Sequence, residues 1–292
     1  MRIVFALLAI SSAVGAQTPA PDIWLARIAV QGTELRVEPP ANATHRPGYD
    51  NQPSFSTDGG RLYFTSVRDD AQADIHVMDL ATGESRPFLH TVPESEYSAT
   101  PTPDGGAVSV IRVERDSTQR LWRLPLDGSP ASVLLPGIAP VGYHAWADAR
   151  TVAIFVLGQP NTLQIADITS GVADTIARSV GRSLHRRPVR DAVEISFVEK
   201  RGDADWWLSI VDVGTRAVRP LVRMPEGVED YVWLPDGSAL CGRGSTLLRW
   251  RVGATEWETV AELSSAGVHN VTRLAVSRDG TRLAIVADGG AD

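Results

Sequence analysis

The chain has 292 residues and a formal net charge of −7, and 22% of its residues are charged. This composition is that of an ordinary folded protein and excludes a disordered or membrane-embedded chain. The negative charge also argues against a nucleic-acid partner, because neutralising phosphates needs clustered Lys and Arg side chains.

The first residues have the layout of a secretory signal. Arg2 is followed by an apolar run at 3–10 and by small residues up to Ala16, so we expect cleavage after Ala16. The apolar run is shorter than the roughly 20 residues of a membrane helix, which predicts no membrane span in the mature chain. We therefore expect a periplasmic or secreted protein whose mature part, 17–292, is a single domain.

An Asp-Gly phrase followed by alternating apolar residues recurs along the chain. Its clearest copies lie at 55–64 and 276–285. Six copies occur, two of them degraded, and their aspartates are spaced 43 to 46 residues apart at Asp58, Asp104, Asp148, Asp191, Asp236 and Asp279. A fixed period of this size matches the four-stranded blade of a β-propeller, which takes about 40–45 residues.

Each repeat predicts four antiparallel strands. The Asp-Gly pair supplies the positive φ of a tight hairpin between the innermost strand and the second strand. A second alternating phrase, as at 74–80 and 208–213, predicts the third strand, and a short apolar stretch such as 131–135 predicts the fourth. The expected fold class is all-β, a six-bladed β-propeller with four antiparallel strands per blade.

The sixth repeat breaks off soon after Val286. Its missing outer strands are predicted at the other end of the chain, because 22–28 resembles the third-strand phrase and Leu35 and Val37 follow it. We expect residues 22–38 to complete the last blade with 270–287. This closure would leave no unpaired strand edge at the seam of the ring.

Two motifs carry a family resemblance. The phrase Ser-x-Asp-Gly-x-x-Leu-x-Phe at 56–64 and the phrase Asp-Ile-x-Val-x-Asp-Leu at 74–80 resemble the WD40-like repeat of TolB-like six-bladed propellers. The resemblance extends over about residues 22–286 and implies the propeller fold. It does not imply one activity, because this repeat serves binding proteins, enzymes and peptidase-attached domains alike.

The loops that enter the innermost strands should converge at one end of the channel, a concave place where ligands commonly bind. Acidic, His and Tyr residues recur in these loops. We predict a ligand-binding face formed by Asp50, Asn51, Glu96, Tyr97, Tyr143, His144, His185, Asp230, Tyr231, His269 and Asn270.

Two functions fit this predicted face. The first is a monomeric interaction module, without a cofactor, that binds a periplasmic or extracellular protein, peptide or glycan. The second is a metal-dependent lyase or lactonase acting on a sugar derivative, with a divalent ion held by His144, His185 and His269 and with Glu96 or Asp230 as ligand or base. Oligogalacturonate lyases, built from similar repeats, use such a histidine-rich site. The sequence contains no Gly-x-Ser-x-Gly elbow or other strong catalytic motif, which favours the binding module.

Overall fold

The computed structural model describes residues 20–68 and 72–288. Their regular structure is almost entirely β-strand, arranged as six antiparallel sheets of four main strands each. The predicted six-bladed β-propeller is confirmed. The predicted signal segment, 1–16, lies outside the described residues. Within the described ranges, no helix is long and apolar enough to cross a membrane.

The strands of a blade follow one another along the chain, except in the last blade. The described part of the chain begins with β1 (Pro21–Gln31), β2 (Glu34–Val37) and β3 (Ala41–Asn42). Blades one and two consist of β4 (Tyr49–Phe55), β5 (Arg61–Val67), β6 (Ala73–Asp79), β7 (Ser85–Leu89), β8 (Ser95–Pro101), β9 (Ala107–Val113), β10 (Gln119–Pro125) and β11 (Ser132–Val133). Blades three and four consist of β12 (Val141–Trp146), β13 (Thr151–Val156), β14 (Thr162–Asp167), β15 (Ala173–Arg178), β16 (Val180–Arg186), β17 (Glu194–Lys200), β18 (Trp206–Asp212) and β19 (Val218–Arg223). Blade five and the end of the chain contribute β20 (Tyr231–Trp233), β21 (Ala239–Arg243), β22 (Thr246–Trp250), β23 (Glu258–Glu262), a 3-10 turn (Ser264–Ala266), β24 (Arg273–Val276) and β25 (Arg282–Asp288).

The last blade is assembled from both ends of the described chain. Its strand order is β2-β1-β25-β24. The pairing of β1 with β25 is antiparallel and runs from Pro21 opposite Asp288 to Arg27 opposite Arg282. The predicted closure by N-terminal strands is therefore confirmed. The short β3, which the sequence did not suggest, adds a pairing of Ala41 with Leu25.

Apolar packing between neighbouring blades holds the ring. Six clusters of buried side chains lie one at each blade junction. At the seam, Ile23 and Val286 of the last blade pack with Leu62 and Phe64 of the first blade. Burying one such side chain stabilises the fold by about 1.5–3 kcal/mol.

The Asp-Gly turns lie together at one end of the ring, which we call the hairpin face. In the first blade Gly59 has φ 71°, a conformation that glycine adopts without steric cost. Asp58 accepts hydrogen bonds from the Ser56 hydroxyl and from the Gly60 N–H. Asp104 and Asp279 accept equivalent bonds in their own turns. The repeat therefore builds each turn from residues that are close in sequence.

Candidate functional site

A central cavity of about 390 Å³ runs between the innermost strands of the blades. Those strands are β4, β8, β12, β16, β20 and β24, and each is the inner edge of its sheet. Edge strands carry unpaired backbone N–H and C=O groups, so the channel wall offers backbone as well as side-chain partners. We call the end of the cavity opposite the hairpin face the channel mouth. The cavity volume falls in the range typical of sites for small molecules.

The structure brings five of the eleven predicted residues to the cavity wall. These five are Tyr143, His144, His185, Asp230 and Tyr231. The remaining six are not among its lining residues: Asp50, Asn51, Glu96, Tyr97, His269 and Asn270. Asn270 instead borders a separate pocket beside Arg182 and Glu229. His269 is exposed and contacts the Ser245 hydroxyl at 3.2 Å.

Two of the acidic residues predicted for this face, Asp50 and Glu96, do not line the cavity. Asp50 is fully buried and pairs with Arg46 at 3.0 Å. Glu96 is also fully buried and accepts a 2.9 Å bond from Arg112. Burial raises the pKa of Glu96, although Thr91 and Arg112 act in the opposite direction. Both carboxylates are therefore held by their own arginines away from the cavity.

The charged lining of the cavity is mainly basic. Among the described residues, its charged side chains are Arg182, Arg186, Arg273 and Asp230. Three guanidinium groups thus face one carboxylate in a chain whose net charge is −7. None of the three arginines is among the site residues predicted from the sequence.

Three neighbouring blades meet in one ionic cluster at the mouth. Arg182 of β16 donates a 3.1 Å hydrogen bond to Asp230, which directly precedes β20. Arg273 of β24 lies 3.5 Å from the other oxygen of the same carboxylate. The Arg273 guanidinium is also 5.3 Å from the centre of the Tyr143 ring. That distance is within reach of a cation–π interaction.

Tyrosine side chains surround this cluster. Tyr49, Tyr97 and Tyr143 lie close enough to influence one another electrostatically, and Arg182 and Arg273 act on Tyr49 in the same way. Burial raises the pKa of Tyr49 and of Tyr97. The predicted recurrence of tyrosine near the mouth therefore has a structural counterpart, although Tyr49 and Tyr97 are not part of the cavity wall.

Two unusual backbone positions shape the channel wall. Gln52 in β4 and Ser98 in β8 have φ values of 56° and 55°, and each lies six residues before the aspartate of its repeat. The Oε1 atom of Gln52 accepts bonds from the Ser98 N–H at 2.7 Å and from the Thr65 hydroxyl at 2.9 Å. The register of both inner strands shifts at these positions. Neither residue is predicted from the sequence, because a β-bulge leaves no strong mark in an alternating pattern.

His144 takes part in a joint between blades. Its Nε2 lies 2.6 Å from the Ser109 hydroxyl, which also accepts a 2.9 Å bond from the Trp146 indole N–H. The next-but-one junction has the same design, because Ser196 interacts with the Tyr231 hydroxyl at 2.8 Å and with the Trp233 indole at 2.7 Å. Each serine lies five residues after the aspartate of its repeat. His144 thus occupies the place that Tyr231 holds in blade five.

Burial controls the charge of the two cavity histidines. It lowers the pKa of His144 to about 3. It also lowers the pKa of His185 to about 4, with Asp230 acting weakly in the other direction. Both imidazoles are neutral at pH 7. In this form His144 donates from Nε2 to Ser109 if the serine donates to the Thr100 carbonyl, 3.0 Å away.

The described residues contain no group of three or more His, Cys, Asp or Glu side chains positioned to hold a metal ion. His144 and His185 line the cavity, whereas His269 does not. The divalent-metal site of the alternative reading stays a prediction.

Comparison with known proteins supports the fold. No protein-family profile matches the chain. A segment is 33% identical over 127 residues to tricorn protease homolog 1 of Streptomyces coelicolor, and this segment is 43% of the present chain but 11% of that protein.

Solved structures agree over nearly the whole chain. A structure assigned to TolB from Agrobacterium tumefaciens matches with a TM-score of 0.67 and 17% identity, covering 92% of this chain and 98% of that one. TolB from Acinetobacter baumannii matches with a TM-score of 0.60 and 14% identity, covering 93% and 64%. An oligogalacturonate lyase in complex with manganese matches with a TM-score of 0.55 and 16% identity, covering 90% and 78%. The chain therefore has the six-bladed propeller fold of the TolB structures.

Proposed function

We propose that this chain is an exported interaction module that binds a protein or peptide partner at the channel mouth. The observation that carries the proposal is the cavity of about 390 Å³, which is lined by the inner strands of all six blades. Its wall combines tyrosine, histidine and arginine side chains with exposed backbone edges. Pockets that bind ligands typically combine apolar surface with a few convergent polar groups in this way.

The two ends of the ring differ in what they offer a partner. At the hairpin face, side-chain oxygens are used within their own turns, as at Asp58 and Asp104. At the mouth, Arg182 has 44% of its side chain exposed and donates a single side-chain hydrogen bond among the described residues. Polar groups that are accessible and only partly satisfied favour the mouth as the binding end.

Export is the second part of the proposal. It rests on Arg2, the apolar run at 3–10 and the small residues before the predicted cleavage after Ala16. Cell fractionation with N-terminal sequencing of the recovered protein tests it. A mature N-terminus at Gln17 in the periplasm or medium is expected, and an uncleaved protein in the cytoplasm would contradict it.

Photo-crosslinking in the producing cell tests the binding end. Tyr97, beside the mouth, is replaced by p-benzoylphenylalanine, which retains an aromatic ring at this half-buried position. Ser129, exposed in the turn between β10 and β11, receives the same replacement as the matched control. We expect a discrete light-dependent adduct from position 97 and none from position 129. Adducts formed only from position 129, or equally from both, would refute binding at the mouth.

A further inference from the structure

The basic lining of the cavity identifies the charge of its ligand. A net positive wall inside an acidic protein attracts anions, and the partly enclosed site strengthens that attraction relative to bulk water. Arg182 and Arg273 come from blades four and six and converge on one acidic residue between them. Asp230 can balance one of the two guanidinium charges, which leaves one positive charge for a ligand.

The guanidinium groups have donors to spare. Each arginine carries five N–H donors, and a carboxylate can accept two of them side by side. Within the described residues, the Arg182 side chain uses one donor, toward Asp230 at 3.1 Å. Arg273 lies against the ring of Tyr143 and has 16% of its side chain exposed. A carboxylate at the mouth could therefore contact both groups without displacing Asp230.

The channel wall favours a peptide as the carrier of that carboxylate. The inner strands present unpaired backbone groups along the cavity, and an extended peptide satisfies such groups with its own N–H and C=O groups. A saccharide has no backbone of alternating N–H and C=O groups that could pair with a strand edge in this way. Binding by a charged end at the mouth and by backbone along the wall requires one orientation of the peptide.

We propose that Arg182 and Arg273 bind the terminal carboxylate of a peptide that enters the channel mouth. This inference rests on the proposed binding function and names the chemistry of the ligand. Asp230 orients the two guanidinium groups and also competes with the ligand for them. If Asp230 has this role, replacing it should strengthen binding of the ligand, whereas replacing either arginine should weaken it.

The test compares two pools of N-acetylated random tetrapeptides, one with free carboxyl ends and one with amidated ends. Retention of each pool by the mature protein is measured by equilibrium dialysis and mass spectrometry. We expect the free-acid pool to be retained and the amidated pool to be retained at least about tenfold less, because a charge-assisted pair of hydrogen bonds is lost. Equal retention of both pools would overturn the proposal.

Four variants locate the contact. Arg182→Gln and Arg273→Gln should each weaken retention of the free-acid pool by about tenfold or more. Asp230→Asn keeps the shape and one acceptor oxygen but removes the competing charge, so it should strengthen retention. Arg190→Gln is the control, because Arg190 is exposed in the turn between β16 and β17 and does not line the cavity, so it should leave retention unchanged. If Arg182, Arg273 and Asp230 only stabilised the fold, Asp230→Asn should weaken retention as well, and that result would refute the assignment.

The same experiment separates this inference from the function on which it rests. If position 97 still forms a light-dependent adduct in Arg182→Gln and Arg273→Gln at the wild-type level, the mouth binds a partner but the carboxylate assignment is wrong. If tri-galacturonate is retained in an Arg182-dependent manner and the free-acid peptides are not, the ligand is a saccharide and the peptide assignment is wrong. Circular dichroism of each variant checks that the variant is folded.

Discussion

The hairpin face and the channel mouth use the same kinds of side chain in opposite ways. At the hairpin face, Asp104 bonds to Thr102 and Gly106 of its own turn, and these bonds lower its pKa. At the mouth end of the same blade, Glu96 pairs with Arg112 on the next strand, and burial raises its pKa. The difference teaches that the hairpin face repeats the same local bonds in the blades that keep the Asp-Gly phrase, while the contacts at the mouth are specific to each blade.

This contrast has a physical origin. A turn closed by neighbouring residues is stabilised locally, so each blade can keep it without regard to the others. The inner ends of the strands meet residues from other blades, such as the Arg182, Asp230 and Arg273 cluster. Contacts between blades constrain the residue type at each of these positions separately, so the sequence repeat is lost at the inner ends of the strands.

The largest expected effect is a loss of stability at the mouth end of blade two, where a buried ion pair is broken. Arg112→Met removes the guanidinium that pairs with the fully buried Glu96 and lies 4.5 Å from the centre of the Trp122 ring, while keeping an unbranched apolar side chain. We expect a loss of about 3–5 kcal/mol in the free energy of unfolding, because an unpaired buried charge remains. Urea unfolding at pH 8 measures it.

The control and the pH dependence sharpen this prediction. Arg123→Met removes a more exposed pair, with Asp104 at 3.6 Å on the hairpin face, and should cost less than about 1 kcal/mol. The pKa of Glu96 is already raised, so the folded state takes up a proton before the unfolded state does as the pH falls. The loss in the free energy of unfolding caused by Arg112→Met should therefore be smaller at pH 5 than at pH 8. Similar losses in both variants would break the comparison.

The second prediction concerns acid sensitivity near the channel. The unfolded chain protonates His144 below a pH near 6.5, whereas the folded protein, with a pKa of about 3, does not. Stability should therefore be fully present above pH 6.5 and fall as the pH decreases toward 4, by up to about 1.4 kcal/mol per pH unit for this site. His144→Tyr, which introduces the residue found at the equivalent place in blade five, should fold and should reduce this slope by that amount.

Unfolding curves across pH 4–7 measure the slope. His269→Gln, at an exposed position, serves as the control and should leave the slope unchanged. A wild-type slope in His144→Tyr would show that burial does not hold this histidine neutral in the folded protein.

The smallest expected effect lies at the hairpin face. Asp104→Ala removes the side-chain bonds to Thr102 and Gly106 and should cost about 1 kcal/mol at pH 7. Because the folded pKa of Asp104 is lowered, its contribution is present above the unfolded pKa near 3.9 and is lost as the pH falls through the folded value. Thermal denaturation at pH 7 and pH 3 checks it. A difference between wild type and variant that persists fully at the lower pH would contradict this account.

The sequence by itself determined the propeller. The 43 to 46 residue spacing of the aspartates, the Asp-Gly turns and the alternating strands all report local structure, and local structure is written in neighbouring residues. It also determined the closure, since the missing strands of the last repeat could be recognised at 22–38 by the same pattern. The assignment of 17–292 as one domain, the signal peptide and the partner stay predictions.

Only the tertiary structure decided which side chains face the cavity. Register shifts in β4, β8, β12 and β16 move residues such as Gln52 and Ser98 out of simple alternation, and a shift of one residue turns a side chain to the other face of a strand. Asp230 lies 48 residues after Arg182 and 43 residues before Arg273, so the arrangement of successive blades around the ring is what brings their charges together. Asp50 and Glu96, which the sequence placed in the site, are instead buried and held by Arg46 and Arg112 near their own strands.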